Sequence, residues 1–550
     1  MRSERRRIWN CLLFAVLLTV LAFVSGGCAS AAVTHYVNPG GSIQAAVTAA
    51  DPGDTVIVRD GTYIENVEVN VANLTLRSEH GSAFTTVFAA ANTSDVFRVT
   101  ANSVTITGFT VRNATDVASG IQLDSVHHCT ISGNNVSDNY RGIILYSSSN
   151  NTLTGNTVNS NSYHGIWLLG SSNYNILTGN TASNNRHGIF LQSSSNNNLT
   201  DNSANSNIGF GIILYSSSNN NTLAGNIANS NIVDDGINLH FSSNNTLTGN
   251  TANSNNRTGI YLYSSGNNKL TGNTANLNNW DGVRLDSSSN NNHMSDNTAN
   301  SNNWDGVRLD SSCNNTLTGN TASNNYRGIE LDYSCKNNIL TSNIVSDNIY
   351  GIELYSSSNN NTLTGNIANL NNNSGILLSS SCNNNTLASN TVSNSIYGIE
   401  LYSSSNNLIY NNYFNNTNNA VDNSNNIWNS TKISGINIIN GSSLGGNYWS
   451  DYNGSDTDGD GLGDISVPYN SSGNIVNGGD WLPLVKAGAP PGRWDINEDC
   501  TVNFIDLTIL SAHWLETTTA PFPRYDINED GVVNFIDLAI LSAHWLETTC

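Results

Sequence analysis

Thirteen copies of the motif Gly-Ile/Val-x-Leu recur through the middle of the chain, from Gly120 to Gly398, about 23 residues apart. A second lane keeps step with the first. It is an Asn three residues after the Leu, Ile or Met of segments like Asn-Thr-Leu-Thr-Gly-Asn, and it runs from Asn134 to Asn411. A period of this length admits a leucine-rich repeat or a parallel β-helix. The first needs a Leu-x-x-Leu-x-Leu run and a helical return. Each repeat here instead holds two short alternating apolar stretches between Asn/Ser/Gly turns, which favours the β-helix. Its coils stack roughly 4.8 Å apart, so identical residues lie on one another. Stacked Asn side chains can then pass amide hydrogen bonds from coil to coil, and the Gly suits a bend between strands.

Without that periodicity the chain would read as disordered, since only 11% of it is charged and Asn, Ser, Thr and Gly fill its centre. A formal net charge of −21 argues against nucleic-acid or anionic-membrane partners and fits a protein that holds hard cations. Arg2, Arg5, Arg6 and Arg7, the apolar run from Ile8 to Val24 and small residues up to Ala32 predict a signal peptide over 1–32 and a secreted or cell-surface product. Cys28 offers an alternative lipoprotein acceptor. No later apolar run is long enough for a transmembrane anchor.

Residues 33–118 read as an N-terminal cap and first coils, with Ser42 to Val47 a short amphipathic helix that plugs the open end of the core. Residues 119–485 carry the repeats and a closing segment. The cap motif Ile43-Gln44-Ala45-Ala46, Pro52-Gly53-Asp54-Thr55 and Gly61-Thr62-Tyr63 resembles the start of pectin-lyase-like β-helix proteins. The coils and the tail Gly445-Gly446-Asn447-Tyr448-Trp449-Ser450-Asp451-Tyr452 resemble the NosD-type family. The resemblance implies an all-β solenoid, a right-handed parallel β-helix of about 13 or more coils. It spans carbohydrate-binding, sugar-hydrolysing and copper-delivering proteins, so it does not choose a function.

A linker at 486–492 leads to two near-copies at 493–550, RWDINEDCTVNFIDLTILSAHWLETT and RYDINEDGVVNFIDLAILSAHWLETT. In the first, Asp495, Asn497, Asp499, the Thr501 carbonyl, Asn503 and Asp506 fall at the ligand positions of a calcium loop. In the second they are Asp526, Asn528, Asp530, the Val532 carbonyl, Asn534 and Asp537. Cys500 replaces the turn glycine of the first loop. A duplicated loop followed by one apolar helix resembles the dockerin family, a small all-α calcium-binding domain whose partner is a cohesin on a scaffold or surface protein. A third acidic loop carries Asp456, Asp458, Asp460 and Asp464 at alternate positions but ends on Val467, and is either a calcium site or a plain acidic turn.

Two positions past each lane Gly, and four past, side chains are expected to face outward. Trp167, Phe190, Tyr215, Tyr261 and Tyr263 form an aromatic face there, suited to stacking on sugar rings or serving only as good strand formers. Trp280-Asp281-Gly282-Val283-Arg284-Leu285-Asp286 and its copy Trp304 to Asp310 supply Asp281, Asp286, Asp305 and Asp310, joined by Glu330 and Asp332 on the next coil. Such carboxylates beside Arg could do acid-base work on a polysaccharide, or form a salt-bridge ladder. Copper handling has little to draw on: two Met, the pair His127 and His128, and the stacked His164 and His187.

Three functions remain: binding of a glycan or other surface polymer, polysaccharide hydrolysis or lysis, and a purely structural role at a glycosylated surface. In the cysteine register, Cys313 and Cys335 each lie four residues after a lane Leu, predicting a disulfide between consecutive coils. Cys382 is expected to stay unpaired. Cys500 and Cys550 make the other candidate pair, in the C-terminal module.

Overall fold

The computed structural model describes residues 31–486, 493–519, 522–528 and 530–546. Residues 1–30 of the expected signal peptide, the linker residues 487–492 and Cys550 lie outside them. The chain divides into two compact units, Met1–Ile227 and Ala228–Cys550. It is a parallel β-solenoid of about 17 turns, the cap and first coils adding to those marked by the Gly lane.

The first unit opens on strand Thr34–Val37, which pairs in parallel with Thr55–Val58. Between them runs the helix Ile43–Ala49, capped by Ser42, with Ile43 and Val47 buried. The Glu65 carboxylate takes hydrogen bonds from the Ser42 hydroxyl and from the Ile43 and Gln44 nitrogens. This satisfies helix N–H groups that have no partner within the helix. From there the coils repeat in register. Ile121, Ile143, Ile166, Ile189 and Ile212 pair one above another, as do Ile131, Leu153, Leu177, Leu199 and Leu223. All ten are fully buried.

The second unit repeats the scheme, with Ile237, Ile260, Val283, Val307, Ile329, Ile352, Ile376 and Ile399 in one ladder. It closes on the segment around Trp428 and Trp449, both buried. There the Asp480 carboxylate accepts from the Asn447 nitrogen, the Trp449 indole and the Leu482 nitrogen. In the C-terminal module the helices Phe504–Ala512 and Phe535–Ala543 each start at an Asn in a reciprocal capping box. Ile496, Val502, Leu510, Ile527, Val533 and Leu541 form its core.

Buried asparagine builds three ladders rather than one. In the lane read from sequence, the Asn320 amide oxygen accepts from both the backbone and the side-chain nitrogen of Asn297, while its own Nδ2 donates to Asn343 and to the Met294 carbonyl. Asn292, Asn315 and Asn338 belong to a second ladder, and Asn302, Asn325 and Asn348 to a third. The first ladder ends through Asn412 and Asn447, not Asn411, because Leu387 pairs with Ile409 rather than Leu408.

Nine of the thirteen lane glycines, Gly306 among them, lie within strands, while Gly211, Gly236, Gly259 and Gly282 sit at a bend just before one. A Cβ on Gly306 would stand 2.6 Å from Ala322 Cβ, 2.7 Å from the Gly328 oxygen and 2.8 Å from Asn325 Nδ2. The close approach of two sheets and the next coil, not a left-handed turn, excludes a side chain there.

The Cys313–Cys335 disulfide is not formed: Cys129, Cys313, Cys335 and Cys382 are all free. The strand register holds, with Leu309 opposite Leu331 and Asp310 opposite Asp332. One extra turn residue follows, since Tyr333 and Ser334 are both left-handed where the coil before has Ser311 alone in that lane's turn. Cys335 therefore stacks on Ser312, and Cys313 meets the backbone of Lys336. Cys500 is disulfide-bonded, but its expected pairing with Cys550 lies outside the described residues.

Candidate functional site

The aromatic residues expected to face a ligand are only half exposed, because they pack on one another. In the first unit, Trp167 stacks on Phe190 at 5.9 Å between centroids and carries the Arg141 guanidinium at 5.3 Å. Tyr215 meets Phe190 edge-on. In the second unit, Tyr263 stacks on His240 at 4.7 Å. Tyr261 lies under Arg284 and donates its hydroxyl to Asp286.

A more exposed aromatic row lies in the second unit, with Arg257 over Trp280 at 5.2 Å and Arg327 over Tyr326 at 4.8 Å. Trp280, Trp304 and Tyr326 occupy one position on three successive coils, linked by backbone hydrogen bonds from Trp304 N to Trp280 O and from Tyr326 N to Trp304 O. They are 44%, 55% and 39% exposed. Trp280 and Trp304, with Asp281, Arg284 and Arg308, line a cleft of about 220 Å³. The signal for this row was present in the two Trp-Asp-Gly copies, at a position before the Gly that strand alternation alone does not mark as outward.

Under the rim the charged groups lock together. Arg284 lies 3.0 Å from Asp286 and 3.3 Å from Asp310. Arg308 lies 2.8 Å from Glu330 and 2.9 Å from Asp332. Arg327 lies 3.4 Å from both Asp305 and Glu330 and is bonded to Glu353. Of the candidate acids, Asp281, Asp305 and Glu330 are buried. Asp286 and Asp310 are half-buried and engaged by arginine.

Burial, followed by the neighbouring Asp281 and Glu330 carboxylates, pushes the Asp305 carboxyl well above its usual range, and it is hydrogen-bonded to Glu330. Arg308 Nη1 lies 2.8 Å from Glu330 Oε2 and 3.6 Å from Asp305 Oδ2, so the two carboxyls face one guanidinium. Burial also raises Asp281, Asp332 and Glu353, against the pull of arginine.

In the C-terminal module each loop wraps around its own carboxylates. Asp506 Oδ1 accepts from the Ile496 and Asn497 nitrogens and Oδ2 from Asn503, and Asp537 repeats this with Ile527, Asn528 and Asn534. Cys500 adopts φ 71° and donates its N–H to Asp495, matching Gly531 at φ 88° donating to Asp526. The turn is therefore the same in both loops. Asn503 and Asn534 use their side-chain oxygens to cap the helices. Asp526 Oδ1 is buried without a hydrogen-bond partner, a donor oxygen left for a hard cation, so the loop residues fit calcium.

The third loop brings Asp456, Asp458 and Asp464 together, and its Asp460 is paired with the Lys432 ammonium. Asp456 is also satisfied by the Gly459 and Gly461 nitrogens.

Comparison with solved structures finds β-helices. The A-module of mannuronan C-5 epimerase AlgE4 from Azotobacter vinelandii is 18% identical, with TM-score 0.44, over 59% of this chain and 95% of that one. The AlgE6 A-module from the same organism is 16% identical, with TM-score 0.41, over 59% and 93%. An alginate lyase from Paenibacillus sp. str. FPU-7 is 15% identical, with TM-score 0.29, over 55% and 97%. No curated protein matches the chain. Residues 493–546 match the dockerin type I domain.

Residues 47–235, 207–305 and 281–454 match the family described as periplasmic copper-binding protein (NosD). The side chains do not fit the copper of that description. Among the described residues the clusters of metal-donor side chains are Asp60 with Glu79 and His80, and Asp456 with Asp458 and Asp464, both carboxylate-rich. Met294, Cys129, Cys335 and Cys382 are buried apart in the coils, and burial lowers His164 to about 2 and His187 to about 4. By sequence match over more than half of its length the chain belongs to the NosD family, and it ends in a type I dockerin.

Proposed function

We propose that this chain is an exported glycan-binding β-helix that docks onto a cohesin-bearing scaffold or surface protein through its calcium-loaded dockerin. One observation carries the glycan reading: the exposed row Trp280, Trp304 and Tyr326 beside a cleft floored by Arg284 and Arg308. Tryptophan faces stack on the C–H faces of sugar rings and retain their affinity in water. Loose single aromatics are common on surfaces, but three in register along successive coils form a platform.

Cleavage of the polysaccharide at the same place has less support. The acids that would act, Asp281, Asp305 and Glu330, are buried and held by arginine, and of the three only Asp281 lines the cleft. Asp286 and Asp310 are spent on Arg284.

Affinity electrophoresis of the full chain in a panel of soluble polysaccharides tests the reading. At least one polymer should retard the protein, and Trp280→Ala with Trp304→Ala should abolish the retardation. Retardation unchanged by both substitutions, or none in any polymer, would remove the cleft as the site. For docking, a cohesin column should retain the chain in calcium and release it in chelator.

A further inference from the structure

The ligand class of the cleft can be narrowed, on the premise that the Trp280–Trp304 row is a glycan platform. We propose that it takes a polysaccharide without acidic groups, lying along the solenoid axis, and turns polyuronates away. Every guanidinium that could receive an anionic sugar is already faced by the protein's own carboxyls. Arg284 lies 3.6 Å from Asp281, 3.0 Å from Asp286 and 3.3 Å from Asp310. Arg308 lies 2.8 Å from Glu330, 2.9 Å from Asp332, and 3.6 Å from both Asp305 and Asp310. Arg327 faces Asp305, Glu330 and Glu353. Beside the rim, Arg257 rides over Trp280 but is paired with Asp234 at 3.1 Å.

Around the floor, seven carboxyls (Asp281, Asp286, Asp305, Asp310, Glu330, Asp332, Glu353) thus surround three guanidiniums. Carboxyls thus outnumber guanidiniums seven to three in the cluster. A sugar carboxylate entering here would have to displace a protein carboxylate and strand it, buried, without its partner, a loss that a new surface contact does not offset. The chain's net charge of −21 adds a repulsive field at longer range. Stacking on Trp280, Trp304 and Tyr326 needs no charge. The coil spacing of roughly 4.8 Å is comparable with one ring of an extended pyranose chain, so successive rings meet successive coils.

Calorimetry of the full chain with hexasaccharides of equal length tests this, using cello-, xylo- and manno-hexaose against hexamers of galacturonate and mannuronate. A neutral hexamer should bind at least about tenfold more tightly than either uronate, with a Kd that does not move between low and high salt. The double variant Asp286→Asn with Asp310→Asn leaves Arg284 only Asp281 of its three carboxylates, and should gain about tenfold in uronate affinity while keeping its neutral ligand, which also reports that it is folded. If a uronate hexamer binds as tightly as the neutral ones and Trp304→Ala removes that binding, this proposal falls and the glycan platform stands. If no hexamer of either kind binds, or the Trp variants change nothing, the platform falls with it.

Discussion

Cys335 Sγ lies 3.3 Å from the backbone nitrogen of Ser312, in the place a serine hydroxyl takes one coil away. Ser289 Oγ meets the Ser265 nitrogen in the same way at 3.0 Å. The thiol thus serves as a serine surrogate in a lane of hydrogen-bond acceptors. Burial pushes it up to about 12, which leaves almost no thiolate at neutral pH.

From this follows a thiol count. In the native protein Cys313, the half-exposed one, should alkylate readily, whereas Cys129, Cys335 and Cys382 should react only after denaturation. Peptide mapping without reduction checks it, and a cross-linked peptide joining Cys313 to Cys335 would overturn the coil register described here. Cys335→Ser should leave the thermal midpoint nearly unchanged, since serine already fills the lane at Ser312 and Ser358.

Asn320→Asp should be among the most damaging single-atom changes available to this chain. A carboxylate can still accept from Asn297, but it cannot donate to the Asn343 oxygen or the Met294 carbonyl. Each buried group left unsatisfied costs about 1–3 kcal/mol, and the new charge is buried as well. Urea unfolding should show a loss of several kcal/mol, against a small effect for the same change at exposed Asn303. Equal effects at the two positions would mean that the ladder contributes little.

The acid cluster beneath the Trp rim sets a pH dependence of known sign. Asp305 is raised in the folded chain from 3.8, so between 3.8 and its raised value the folded state keeps a proton that the unfolded state has released. Its contribution is fully present below 3.8 and is lost as pH rises through that window. Asp305→Asn, which preserves a hydrogen-bond donor toward Glu330 without a titrating proton, should flatten that slope and raise stability at neutral pH. Urea midpoints measured across the window decide it, and a slope unchanged by the substitution would locate the proton elsewhere.

How much of this was readable in advance depended on which residues a repeat can mark. A lane that recurs every coil, such as Gly306 or Asn320, announces the fold through period alone, and the calcium loops through ligand spacing. Exposure was harder to read. Trp167 and Trp280 are both aromatic residues near a lane Gly and both carry an arginine, yet Phe190 also stacks on the first while the second stands 44% exposed at the rim. Which rings are covered depends on neighbours in adjacent coils, and so on turn lengths. The same limit misplaced Cys335, where one extra left-handed residue after Asp332 moved a side chain to the next lane. Two of the three buried asparagine ladders keep a constant offset of five residues from the first, Asn292 and Asn302 flanking Asn297 as Asn315 and Asn325 flank Asn320, so period alone marks them too.

The dockerin loops make the final prediction, and Asp526 is its pivot. Its carboxyl is fully buried, with Oδ2 held by the Gly531 nitrogen and Oδ1 without a partner. Asp530 and Asp537 crowd the same turn, so without a cation three carboxylates repel one another across one loop. Calcium should therefore raise the thermal midpoint of the dockerin transition in the full chain, and chelator should lower it by mass action. Asp526→Ala should reduce the calorimetric stoichiometry by one ion while leaving the first loop competent. That first loop should bind despite Cys500, because its φ of 71° and its N–H to Asp495 reproduce the glycine turn. A midpoint that ignores both calcium and chelator would show that these loops fold on their hydrogen bonds alone.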